Sequence, residues 1–272
     1  MNLGRVAKSN QEQAVASWVN YLNQVRLDRL MEALQRQDQN WDQAVETLKD
    51  TLSTMNKEII ERNRGGLKGM HGFIAEVAEC GVGNAREQVQ GRMPVYEWIN
   101  DNGPADLLRN GVQIQQKFVA SGNHLSLQAI TQHFEKYPDF LSQGGKYQIP
   151  EDHYEQIKRL LSISKEQANK MPTSTGEFSL KQWKEVHEFF DKGLIKLQDI
   201  EPSKLKYNQV QMNRINDTIQ GEKQSLKEVD QKIRDDAYDA SKPSLEQGVK
   251  VAAVSAVIEG GAAFVSAIAK KT

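Results

Sequence analysis

The chain has 272 residues, long enough for one large domain or two small ones with a genuine core, so stabilisation does not require disulfides or a structural metal. Its single cysteine, Cys80, excludes a disulfide framework, and 35 basic against 36 acidic residues exclude nucleic-acid binding by bulk charge alone. The opening residues MNLGRVAKSNQEQAV carry no apolar signal core, so a cytoplasmic protein is expected.

Gln11 to Arg64 is rich in Gln, Glu, Leu and Ala, and its apolar residues recur at helical spacing, which predicts two helices divided near Asp38 to Trp41. Gly65, Gly66, Gly69 and Gly72 then mark a flexible or closely approached backbone ahead of a helix that places Phe73, Val77 and Cys80 on one face. From Val95 the period changes. Val95 to Ile99 and Ala105 to Leu108 suit short strands, and Asn110-Gly111 supplies a tight turn into Val112 to Val119. In that last run Gln113, Gln115 and Lys117 share one face, and Val112, Ile114, Gln116 and Phe118 the other. Ser126 to Phe140 reads as a helix, Lys146 to Ile149 as a strand stopped by Pro150, and Glu151 to Lys170 as a further helix. Pro172 to Gly176 reads as a linker, Ser179 as a helix cap, and Ser203 to Ala240 as a long polar helical arm.

Val251 to Ala269 is almost wholly small and apolar, yet Glu259 sits near its centre, where a carboxylate would cost about 2.5 to 3.5 kcal/mol in a bilayer. A buried or subunit-interface helical hairpin is therefore favoured over membrane contact, and a homo-oligomer or a partner protein is expected to use it. The resulting division is N-terminal helices 1–64, an α/β core 65–171, a helical arm 172–243 and an apolar segment 244–272.

The chemistry is concentrated around the hairpin. Asp106 lies on its first strand, and Gln115 and Lys117 project from one face of its second, so a carboxylate, an amide oxygen and an ammonium converge. A hard divalent cation held by Asp106 and Gln115, with Glu76 from the preceding helix as a further ligand and Lys117 serving the attacking water, is a kit for phosphodiester hydrolysis. The plainer alternative makes the same residues the solvated face of an edge strand, with Asp106 in a turn. Asp101 is a second candidate ligand in place of Asp106, although Asn100 to Pro104 reads as a turn.

The stretches Gly72 to Glu76, Gly103 to Asp106 and Gln115-Gln116-Lys117, in that order, resemble the PD-(D/E)XK nuclease superfamily over roughly the middle third of the chain. The resemblance implies a restriction-endonuclease-like α+β core of helix, three strands, helix and strand embedded in a mainly helical chain. It also implies a metal-dependent endonuclease using Mg2+ or Mn2+ on DNA, while the fused helical arm and small-residue tail suggest a bacterial defence or toxin-like effector. Gln115 departs from the pattern, standing where the superfamily usually has Asp or Glu. Lys68, His71, Arg86, Arg92, His124 and Ser126 are the expected contacts to nucleic acid. The rival is a non-catalytic interaction or membrane-associated protein on the same scaffold.

Overall fold

A computed structural model describes residues 3–101, 103–121, 124–174 and 176–242, so the small-residue segment 244–272 lies outside the described residues. The chain divides into two compact units: residues up to Gln39 together with those from Asp230 onward, and Asn40–Val229. In the first, α1 (Leu3–Thr54) and α7 (Ile215–Ser241) contribute their outer parts. Gln37 donates to Asp230 (2.9 Å), and Arg234 bridges Asp230 (2.9 Å) and Asp38 (2.7 Å).

The sequence predicts a break near Asp38 to Trp41, but α1 runs through it. No Gly or Pro interrupts that stretch, and polar Gln37 and Asp38 are held by the partners just named rather than by a turn. A turn of wider π-type helix, Met55–Ile60, ends the run. Gly65 (φ 77°) and Gly66 (φ 62°) then reverse the chain into α2 (Gly66–Gln88). A side chain at Gly65 would also meet Phe73 at 2.9 Å, so glycine is required there on two grounds.

The second unit is an α+β fold around a mixed five-stranded sheet, in the order β1 (Tyr96–Trp98), β2 (Leu107–Arg109), β3 (Val112–Gln116), β6 (Lys146–Ile149), β7 (Ile200–Pro202). The first three strands are antiparallel neighbours, while β3, β6 and β7 are parallel. Asn110 (φ 51°) and Gly111 (φ 80°) form the left-handed turn expected between β2 and β3. A two-strand hairpin, β4 (Ala120–Ser121) and β5 (His124–Leu125), follows and leads into α3 (Gln128–Lys136).

Each face of the sheet carries its own core. On one, α2 supplies Ile74, Ala78 and Val82 against Leu48, Met55, Leu205, Ile215 and Ile219. On the other, Tyr147 and Ile149 of β6 pack with Ile130 of α3, Ile157 and Leu160 of α4 (Glu151–Ser162), and Val186 of α6 (Leu180–Asp191). The short α5 (Lys165–Ala168) splits off what the sequence suggests is one helix, because Ser164 caps a new start with Gln167 in a reciprocal pair. Ser179 caps α6 as expected.

Residues from Ile200 to Leu226 are no free arm. They give the sheet an edge strand and bury Leu205 and Val210 ahead of α7 and Ile215, Ile219 and Leu226 along one stripe of it, where few apolar residues suffice. Among the described residues no helix is long and apolar enough to cross a membrane.

Gly83 of α2 sets the height of β1. An added Cβ would come within 2.4 Å of the Tyr96 ring, and Tyr96 is pinned because Asn84 Oδ1 accepts its backbone N–H at 2.8 Å. Gly83→Ala is accordingly expected to cost about 1–3 kcal/mol in urea unfolding, despite alanine's better helix propensity. Unchanged stability would show that β1 slides freely on α2.

Candidate active site

Asp106 immediately precedes β2, and its backbone N–H donates to Ile114 O at 2.9 Å, so the ladder places it opposite Gln115. Lys117 immediately follows β3, held by its own N–H to Gln148 O at 2.8 Å. Both therefore sit at the hairpin's open end, away from Asn110-Gly111. Glu76 reaches the same place from α2, where Trp98 Nε1 donates to its Oε2 at 3.1 Å. These side chains line one cleft of about 740 Å³. His71 lines it too, with Nε2 at 2.8 Å from Phe118 O.

The Asp106 carboxylate accepts the Gln116 backbone N–H at 2.8 Å and the Gln115 side-chain amide. Gln115 thus turns its nitrogen, not its oxygen, toward Asp106. Burial, with the Asp106 charge behind it, pushes the Glu76 carboxyl up to about 8; the Trp98 hydrogen bond, Arg64 and Lys117 oppose the rise. Burial likewise raises Asp106 against the pull of Lys117. Lys117 is lowered by burial, the two carboxylates opposing the change. Two half-buried carboxylates and one partly desolvated amine thus share a site and shift one another's ionisation.

The cleft's wall includes residues from outside the hairpin and α2, of which sequence reasoning passed over His133 and Lys136. Arg64 stacks on Phe73, its guanidinium carbon 4.1 Å from the ring centroid, and donates to Asn100. From α3 come Gln132, His133 and Lys136, with Tyr137 just beyond. His133 hydrogen-bonds through Nδ1 with the Tyr147 hydroxyl at 2.9 Å, and burial lowers its pKa to about 4. The spacing Gln132, His133, Lys136 on a short amphipathic helix was the available signal.

Other expected contacts lie apart from the cleft. Arg86 is taken up by a two-pronged pair with Glu222 (2.6 and 2.8 Å), in a groove with Lys204 and Arg214. Arg92 pairs with Glu87 on the surface. Ser126 lines a third pocket, with Gln128 and Ser179. The side chains of Lys68 and His124 are outside those described. Asp101 does line the cleft, but its Oδ1 accepts the Gly103 N–H at 2.6 Å, as a turn residue does. Cys80 is buried with Tyr96, Leu107 and Ile114, and burial first, then the neighbouring glutamates, pushes its thiol far above the reactive range.

The half-buried carboxylates of Glu76 and Asp106 line the same cleft, and oxygen donors of this kind could hold a hard divalent ion. Among the described residues no group of three or more His, Cys, Asp or Glu is placed to hold a metal. Comparison with family profiles, curated proteins and solved structures gives no match for this chain.

Proposed function

We propose that the protein is a metal-dependent nuclease, hydrolysing phosphodiester bonds of DNA on a restriction-endonuclease-like core, as its resemblance to the PD-(D/E)XK superfamily implies. The observation that carries this reading is that Glu76, Asp106 and Lys117, from three separate elements, line one cleft and perturb one another's ionisation.

Glu76 and Asp106 would hold Mg2+ or Mn2+, with an amide oxygen as a third protein ligand, and the bound ion would polarise the phosphate and acidify a water. Lys117, made less basic by its burial, positions that water through its amine and takes up its proton as the water oxygen bonds to phosphorus. Its resulting ammonium then balances charge growing on the phosphate oxygens as the bond to the leaving oxygen breaks. Arg64 and Lys136, on the cleft wall, offer cations to the flanking phosphates, and His71 offers an imidazole. The apolar segment 244–272 would serve assembly or a partner, as in an effector held in check until triggered.

One observation favours the rival, a scaffold that binds without cutting: Gln115 stands where the superfamily usually has Asp or Glu, and among the described residues no group of three or more His, Cys, Asp or Glu is placed to hold a metal. Supercoiled plasmid and tRNA, incubated with and without Mg2+ or Mn2+, separate the two readings. Metal-dependent cutting of plasmid that Asp106→Ala lowers at least about a hundredfold supports the nuclease on DNA. Cutting of tRNA alone would keep the chemistry and change the substrate. No cutting of either, with nucleic acid still bound, would establish the scaffold.

A further inference from the structure

The cleft contains a second glutamine, whose amide oxygen has nowhere to go. Gln116 is only 6% exposed and lines the cleft, and its Oε1 is buried with no hydrogen-bond partner. A buried acceptor left unsatisfied is destabilising, so it needs a reason.

The orientation of that oxygen is set from the neighbouring strands β6 and β7 and from α2. Glu201 is held by Arg109 in a two-pronged pair (2.5 and 2.7 Å). Glu79, fully buried, accepts from Ser203 Oγ (2.6 Å) and Lys204 N (2.9 Å). Gln148 Nε2 lies between these two carboxylates, at 3.1 Å from Glu79 and 3.2 Å from Glu201. With acceptors on both sides, only the amide nitrogen of Gln148 can occupy that position. Its oxygen must then point to Gln116, whose Nε2 donates to it at 2.8 Å. The Gln116 amide is thereby fixed with its nitrogen inward and its oxygen left over. Gln115, one residue earlier, is turned the opposite way, its nitrogen spent on Asp106.

We propose that Gln116, rather than Gln115, supplies the amide oxygen that completes the divalent-cation site with Glu76 and Asp106. This rests on the metal-dependent reading above. The relay from Glu79 and Glu201 through Gln148 pre-orients this ligand, so no amide need turn over when the ion arrives, whereas ligation by Gln115 would break its bond to Asp106. The site then takes a hard, oxygen-seeking ion such as Mg2+ or Mn2+, with the missing third carboxylate replaced by a neutral donor of fixed direction.

The test is Mn2+ binding to the full chain, read by titration calorimetry and by the loss of free Mn2+ signal in electron paramagnetic resonance. Gln116→Leu should weaken binding at least about tenfold, Gln115→Leu by less than about threefold, and Gln116→Glu should tighten it several-fold. Circular dichroism in chelator establishes that each variant is folded; if Gln116→Leu is not, Gln116→Glu carries the decision, and unchanged affinity in that variant overturns the proposal. Parental affinity in Gln116→Leu overturns it as well, leaving the oxygen to an internal water. If Asp106→Ala abolishes binding while Gln116→Leu does not, the metal site stands and only this assignment falls. If the parental chain binds no Mn2+, both fall.

Discussion

Lys117→Met is expected to lower metal-dependent cleavage about a thousandfold while leaving Mn2+ affinity and the unfolding transition close to parental. The lysine follows β3 at the edge of the cleft, anchored through its backbone to Gln148 O, and methionine keeps the length of the stem. What is lost is the amine that serves the attacking water and the charge that meets the phosphate. Initial rates on supercoiled plasmid at saturating Mg2+ measure it. Cleavage within threefold of the parental rate would remove Lys117 from the chemistry and pass its role to Lys136 or Arg64.

The second large effect is on stability, and its sign follows from the raised carboxyls. Burial pushes Glu76 up to about 8 in the folded protein against 4.5 as its ordinary value, so the folded state holds its proton more tightly than the unfolded state. That stabilisation is complete below 4.5 and is lost as pH rises through about 8; Glu79 and Asp106, also raised by burial, act in the same direction. His133, lowered from 6.5 to about 4, does the reverse, as does His153, also lowered from 6.5, so both favour the folded state increasingly as pH rises toward 6.5. Between 6.5 and 8 the carboxyls therefore dominate. Over those 1.5 pH units Glu76 alone would remove up to about 2 kcal/mol from the unfolding free energy in chelator. Urea titrations at the two pH values should show the loss. Glu76→Gln should remove its share of the slope, and millimolar Mg2+ should restore stability at pH 8 by replacing the proton. A flat profile from 6.5 to 8 would mean that Glu76 is open to water.

The residues of the hairpin were legible because their signals are local. Alternation from Val112 to Lys117 fixes which side chains share a face, and Asn110-Gly111 fixes the turn, so Asp106 opposite Gln115 follows from short-range geometry. Lys146 to Ile149 was equally plain, stopped by Pro150. What escaped was non-local. Ile200-Glu201-Pro202 has no strand signature of its own and joins the sheet only by parallel pairing with β6, some fifty residues earlier in the chain. The polar relay through Glu79, Gln148 and Glu201 depends on that strand, so it was invisible for the same reason. Cys80, by contrast, follows from the helical spacing that sets it on one face with Phe73 and Val77, and it is buried in the core. Arg86 illustrates the opposite failure: its place in a basic stretch suggested phosphate, but Glu222, far along the chain, already pairs with it.

The claim that Glu76 and Asp106 share one cation is tested most directly by counting Mn2+ bound per chain at pH 8 in the parental protein, Glu76→Gln and Asp106→Ala. The account predicts one ion per parental chain, with affinity at least about tenfold weaker in Glu76→Gln and binding lost in Asp106→Ala. Parental affinity in both variants would place any bound ion elsewhere and contradict the account.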